Sequence, residues 1–243
     1  MAALTLAIPS KGRLKEKCDE FFVAAGLSMQ QTSARGYRAV FPDIGDVEIM
    51  LLSASEIASS LVSGDVHLGI TGEDLLREEA PELTGRVALL KSLGFGNARV
   101  VVAVSEYWID VDTMADLDDV CAAYAATHRR RLRVATKYAR LTRQFFAQNR
   151  ISDYRIVPSA GATEGAPAAG TAEVIVDITT TGATLKGNGL KILSDGLILD
   201  SYANLAASLT ADWTGEARAA CKALLTRLDA SGGLQGRLSG ELA

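Results

Sequence analysis

The chain has 243 residues, 48% of them hydrophobic and 22% charged, enough apolar surface for one large core or two modest ones, which excludes a disordered or fibrous chain. Basic and acidic residues number 25 and 29, a net charge of −4, so the global basic footprint of a nucleic-acid binder is absent. An anionic ligand must therefore be held by local sets of backbone N–H groups and a few cations.

Residues 4–8 predict a short buried strand, broken by Pro9-Ser10-Lys11-Gly12. A helix follows, with Leu14, Cys18, Phe21 and Ala25 on one stripe and Gly26 as its stop. Residues 37–41 and 47–52 read as a strand pair joined by a turn-rich segment. Ser53-Ala54-Ser55-Glu56 is a capping box, predicting a helix that ends at Gly64. A strand over 67–70 leads into Thr71-Gly72-Glu73-Asp74, which opens another helix. Residues 87–93 and 99–104 are strand-like and separated by Gly94-Phe95-Gly96-Asn97.

A second part begins near Ser105. Helix (117–130), strand (132–135), helix (138–149) and strand (154–157) succeed one another. A short helix led by Glu164, a strand over 174–178, a threonine-rich loop and a helix start at Gly182 come next. Residues 197–208 read as one strand and 214–228 as a closing amphipathic helix. This βα alternation argues for parallel or mixed sheets covered by helices, in two α/β domains.

The three cysteines, Cys18, Cys121 and Cys221, are far apart and include no CxxC, which fits buried thiols in a reducing compartment. Without a basic n-region or a long apolar run, the expectation is a cytoplasmic protein that meets no membrane. His67 and His128 stand in no triad or metal-ligand spacing; His67 reads as a core histidine. The run His128-Arg129-Arg130-Arg131 reads as a solvated helix end.

Chemistry is most concentrated in Asp177-Ile178-Thr179-Thr180-Thr181-Gly182-Ala183-Thr184. A buried strand delivers Asp177 at its carboxyl end, where open α/β sheets bind ligands. Hydroxyls, free amides and a helix start then form a phosphate cradle that needs no lysine. Asp177 suits vicinal ribose hydroxyls, so the segment fits a ribose 5-phosphate. The same residues also read as a strand end and helix cap with an incidental acid. Lys11 and Arg13 flank Gly12 at a helix start, and Arg35 precedes a strand; each is a candidate polyphosphate contact or a solvated cation. Thr71-Gly72 repeats the strand–Thr–Gly–helix arrangement, with carboxylates better suited to a nucleoside or a hydrated metal than to phosphate.

From Glu164 through Gly170 and Asp177 to Thr184 and Leu190, the chain closely resembles the signature of the ATP phosphoribosyltransferase family. Lys11-Gly12-Arg13-Leu14, residues 65–72, Leu93-Gly94-Phe95-Gly96 and residues 133–138 resemble it in the same order. Where the family usually has Arg-x-x-Asp-Ile-Pro, this chain has Ser53-Ala54-Ser55-Glu56-Ile57-Ala58, which shifts pyrophosphate charge onto Arg35. The resemblance implies two α/β domains of the type II periplasmic-binding-protein kind, with the active site in the cleft. Domain I would comprise 1–104 and 194–243, and domain II 105–193.

It also implies transfer of a phosphoribosyl group from phosphoribosyl pyrophosphate to N1 of ATP, with Mg²⁺. The expected site places Glu164, Asp177, Thr179, Thr180, Thr181, Gly182, Ala183 and Thr184 on phosphoribosyl pyrophosphate. Lys11, Gly12, Arg13, Arg35, Thr71 and Gly72 would face ATP or pyrophosphate, and Asp177, Lys11 and Arg35 would act in catalysis. With 35 residues after Ser208, the chain resembles the family's short form. That form implies a homodimer assembling with a regulatory subunit similar to histidyl-tRNA synthetase. A non-catalytic cleft-binding protein for an anionic or nucleotide solute, and a phosphoribosyltransferase for another base, are the competing readings.

Overall fold

The computed structural model describes residues 3–32, 36–80, 82–159, 161–229 and 231–242. The first stretch of chain contains β1 (Leu4–Pro9), α1 (Gly12–Ala24), β2 (Gln30–Gln31), β3 (Arg38–Val40), β4 (Val47–Leu52), α2 (Ala54–Ser63), β5 (Leu68–Gly72), α3 (Glu73–Glu79) and β6 (Val87–Ser92). The middle contains β7 (Ala98–Ser105), α4 (Met114–His128), β8 (Leu132–Thr136), α5 (Ala139–Gln148) and β9 (Tyr154–Pro158). A 3-10 turn (Thr163–Gly165), β10 (Val174–Thr179), α6 (Ala183–Gly187) and β11 (Leu190–Ser201) complete it. The chain closes with β12 (Ala203–Ser208), α7 (Gly215–Leu228) and α8 (Gly233–Glu241).

These elements form two units, residues 1–96 with 202–243, and residues 97–201. The first holds a seven-stranded sheet ordered β2-β3-β4-β1-β5-β12-β6, in which β4, β1 and β5 are parallel. Alternation along β1 sends Leu4, Leu6 and Ile8 to a core shared with Cys18 and Phe22 of α1 and Leu224 of α7. Ala7 points to the other face, against Ile57, Ala58 and Leu61 of α2. Both faces are covered, which is why the strand reads as a nearly unbroken apolar run.

The capping box forms: Ser53 Oγ accepts from the Glu56 amide at 3.3 Å and Glu56 Oε2 accepts from the Ser53 amide at 2.8 Å. Gly64 ends α2 at φ +89°, where a Cβ would lie 2.7 Å from the Thr210 carbonyl oxygen, so only glycine fits. His67 departs from the core reading. Its Nδ1 accepts from the Thr5 amide at 3.1 Å and its Nε2 lies 3.1 Å from the Asp212 carbonyl. It thereby joins β1 to the approach to α7.

The second unit holds a five-stranded sheet ordered β11-β7-β10-β8-β9. The chain passes between units at 96/97 and 201/202, where the sequence expectation is 105 and 194. The reason is that β7 and β11 pair antiparallel with each other, from Leu190 opposite Ser105 to Ser201 opposite Ala98, so both strands belong whole to the second sheet. The expected single strand over 197–208 is likewise two: β11 ends at Ser201, and β12 joins the first sheet between β5 and β6.

Candidate active site

In the second unit β10 lies between antiparallel β7 and parallel β8, and β9 runs parallel beyond β8. The carboxyl ends of β8, β9 and β10 thus meet the start of β7 at one end of the sheet, the position where open α/β sheets collect ligands. Lys137 follows β8, Glu164 sits in the 3-10 turn after β9, and Asp177 to Thr181 close β10. Val176 is opposite Thr136, so Asp177 and Lys137 are the next positions on adjacent strands. Ser159 and buried Thr163 hold the Glu164 turn through a 2.9 Å hydroxyl–hydroxyl bond.

Asp177 is half-buried and its Oδ1 accepts from the Ile178 amide at 2.8 Å. Burial pushes its carboxyl above the ordinary value; the Ile178 N–H and Lys137 pull the other way, and the Glu164 charge adds to the rise. Glu164, Lys137 and Asp177 therefore share one electrostatic neighbourhood. A carboxylate with this surrounding favours donors such as sugar hydroxyls and repels phosphate.

The loop beyond it is held by its own hydroxyls. Thr179 Oγ1 accepts from the Gly182 amide at 2.8 Å, and Thr181 Oγ1 accepts from the Ala183 amide at 3.3 Å. The Thr180 hydroxyl lies 3.4 Å from the Asn97 carbonyl. Gly182 turns the chain at φ +78°, a conformation glycine adopts without strain. Thr180, Thr181, Ala183 and Thr184 are exposed, while Thr179 and Gly182 are half-buried. The helix that follows, α6, has five residues, so hydroxyls and amides are the main donors this loop offers.

In the first unit, Lys11, Gly12 and Arg13 are exposed where β1 passes into α1, with Gly12 at φ +78°. Gly72 caps α3 at the end of neighbouring β5. Thr71 requires a correction. It is fully buried, and its hydroxyl donates to the Ala54 carbonyl at 2.8 Å, so it ties α2 to β5 and does not line a wall for ligand. Arg35 lies outside the described residues. The glycine and hydroxyl loop, Asp177 and Glu164 thus come together in one unit, and the Lys11–Arg13 group in the other.

Two cations escaped the sequence reading. Lys137 had an available signal, a lysine directly after a parallel strand. Arg99 had none, because only cross-strand register places it opposite Thr179 on β10 and opposite Asp200 on β11. The three cysteines are buried and unpaired, and burial pushes each thiol up to about 12, which removes them as nucleophiles. Among the described residues no group of three His, Cys, Asp or Glu side chains is arranged to hold a metal ion. Among them, too, no helix is long and apolar enough to cross a membrane.

Two α/β sheets, with a half-buried carboxylate and a hydroxyl–glycine loop at strand carboxyl ends, define a class of α/β protein whose chemistry gathers where open sheets collect ligands. The family model described as ATP phosphoribosyltransferase matches residues 53–230. An ATP phosphoribosyltransferase of Nitrobacter winogradskyi is 60% identical over 94% of this chain and 70% of its own length. One of Caulobacter vibrioides is 56% identical over 94% of this chain and 72% of its own. The chain belongs to the ATP phosphoribosyltransferase family, and with it to the pentosyl-transferring enzymes. Its fold is similar to that of the ATP phosphoribosyl transferase (HisG:HisZ) complex from Thermotoga maritima. That match has a TM-score of 0.66 at 23% identity, covering 98% of this chain and 97% of that one.

Proposed function

We propose that the chain transfers the 5-phosphoribosyl group of phosphoribosyl pyrophosphate to N1 of ATP, giving N1-(5-phosphoribosyl)-ATP and pyrophosphate, the first step of histidine biosynthesis. The observation that carries this is Asp177 on β10, half-buried and followed by a glycine-turned loop in which Thr180, Thr181 and Thr184 are exposed. Asp177 accepts from the ribose hydroxyls, with Glu164 beside it as a second acceptor. The 5-phosphate sits on the loop from Thr179 to Thr184. Each threonine hydroxyl that accepts from a loop amide still has its own hydrogen to donate, and on binding the Gly182 and Ala183 amides exchange a hydroxyl oxygen for a phosphate oxygen.

The C1′–oxygen bond to pyrophosphate breaks as the N1–C1′ bond forms. N1 brings its own lone pair, so no strong general base is required. What the step needs is a fixed ribose and positive charge near the departing pyrophosphate. Lys11, Arg13 and Arg35 supply that charge, and Gly72 lets a nucleotide approach the backbone closely. Mg²⁺ would neutralise and orient the pyrophosphate oxygens.

We further place the enzyme in the cytoplasm. There it forms a homodimer that assembles with a regulatory subunit, a reading supported by the complex named for the Thermotoga maritima structure. Incubating the purified chain with phosphoribosyl pyrophosphate, Mg²⁺ and either ATP or other bases tests the reading. Pyrophosphate release with ATP alone is expected, and faster release with another base, or binding without release, overturns it. Repeating the assay with the candidate regulatory subunit tests the assembly.

A further inference from the structure

Residues 129–155 hold nine basic side chains, Arg129, Arg130, Arg131, Arg133, Lys137, Arg140, Arg143, Arg150 and Arg155, against one acid, Asp153. This is a local reversal of sign in a chain whose net charge is −4. Four of them, Arg130, Arg131, Arg133 and Arg155, line a depression of about 230 Å³ together with the apolar residues Ile156, Val157 and Pro158. Glu173 pairs with Arg133 at 2.6 Å and lies 3.5 Å from Arg130, while Asp153 is 3.9 Å from Arg131. Two carboxylates thus face four guanidinium groups, leaving a surplus of two positive charges around these apolar residues.

The strand that carries the apolar residues, β9, is the outermost of its sheet. Asp153 accepts from the Leu132 amide at 3.3 Å and the Ser159 amide donates to Thr136 at 3.0 Å, so the odd-numbered residues face β8. By strand alternation Tyr154 and Ile156 turn N–H and C=O outward, and Pro158, which has no N–H, ends the open stretch. Charges on an edge strand can serve only to repel unwanted pairing. Repulsion alone, however, needs neither apolar residues in the depression nor arginines gathered around them from two segments of chain, 130–133 and 155.

We propose that this face binds an acidic, extended segment of a partner protein: its carboxylates meet the arginines, an apolar side chain enters the depression, and its backbone pairs with the outer edge of β9. An inorganic polyanion would satisfy the charge but leave the apolar residues and the open backbone groups unused. The test of this surface does not use turnover, so its outcome is distinct from that of the proposed activity.

The probe is a fluorescent peptide, Glu-Glu-Glu-Leu-Glu-Glu-Glu, titrated against the full chain at low salt and followed by anisotropy. Binding is expected to weaken steeply as salt rises, and to weaken about tenfold with R131E/R155E, two rim charges reversed. K222E, on α7 of the other unit, is expected to leave it unchanged. Replacing leucine by serine in the peptide should weaken binding of the unaltered protein, which keeps the proposal testable if the double variant fails to fold. Absence of binding at low salt overturns the proposal. So does binding indifferent to R131E/R155E or to the leucine, and so does tripolyphosphate binding more tightly than the peptide.

Discussion

A carboxylate set among buried strand residues opposes folding whenever it is ionised, and Asp177 is in that position. Burial raises its folded-state value, so the folded chain holds the proton more tightly than the unfolded one, and stability is lost as pH rises through the folded value. Asp177→Asn is therefore expected to raise the thermal midpoint of the free chain at neutral pH. It should also lower kcat/KM for phosphoribosyl pyrophosphate by about one to two decades, the worth of a charge-assisted contact of roughly 1.5–3 kcal/mol. Steady-state kinetics and a melting curve decide it; a lowered midpoint with unchanged kcat/KM would make the acid structural. Glu173 behaves oppositely. Burial pushes its carboxyl up, but bonds from the Arg133 side chain and amide and from the Tyr124 hydroxyl prevail and hold it at about 2, below its ordinary 4.5. Its stabilisation is present above the ordinary value and lost as pH falls through the folded one. Glu173→Gln should cost about 2 kcal/mol in urea unfolding at pH 7, with the gap to the unaltered chain closing towards pH 2. Asp177 was legible from sequence because a lone acid interrupts an apolar strand just before a hydroxyl run. Arg99 was not, since nothing along the chain records which residue stands across the sheet from it.

At the scale of elements, local chemistry shows in sequence where it is complete within a few residues. The Ser53–Glu56 box marks α2 because both partners are the usual ones. Thr113 and Asp116 form the same reciprocal arrangement at the start of α4, yet aspartate at the third position makes a weaker signature, and the helix reads as beginning at 117. The stretch from 190 to 208 hid its true pairing for another reason. Register shifts between Ile192 and Leu197, and again before Leu199, break the alternation that identifies a strand. For the loop proposed to hold the 5-phosphate, the decisive element is a turn. A Cβ at Gly182 would meet only Ile192 Cδ1, at 3.6 Å, so space is available and only the backbone conformation resists. Gly182→Ala should strain the loop by roughly 1–2 kcal/mol and lower kcat/KM for phosphoribosyl pyrophosphate about tenfold. Gly182→Asn, which tolerates the left-handed region better, should retain more of the activity. Equal losses in the two variants would mean that bulk, not φ, matters at this position.

For the whole molecule, the two-unit organisation was legible and its seams were not, because no linker of distinct composition separates the units. A local mark did exist. The first passage falls in the turn Gly94-Phe95-Gly96-Asn97, where Gly96 takes φ +67° and a Cβ would sit 3.1 Å from the Ala203 Cβ. Two chain passes side by side leave little room there, which a sequence reading sees only as a spacer between strands. The same scale governs the metal. A net charge of −4 does not itself create a cation site; Mg²⁺ dehydrates reluctantly and is usually held by one or two carboxylates together with substrate phosphates. The metal is then expected to follow the substrate. Dialysis against EDTA should leave the melting curve of the free chain unchanged while abolishing pyrophosphate release, and added Mg²⁺ should restore it. Equilibrium dialysis should find stoichiometric Mg²⁺ on the chain only when phosphoribosyl pyrophosphate is present. A metal that survives EDTA in the absence of substrate would place a ligand set on the protein and change how the pyrophosphate is held.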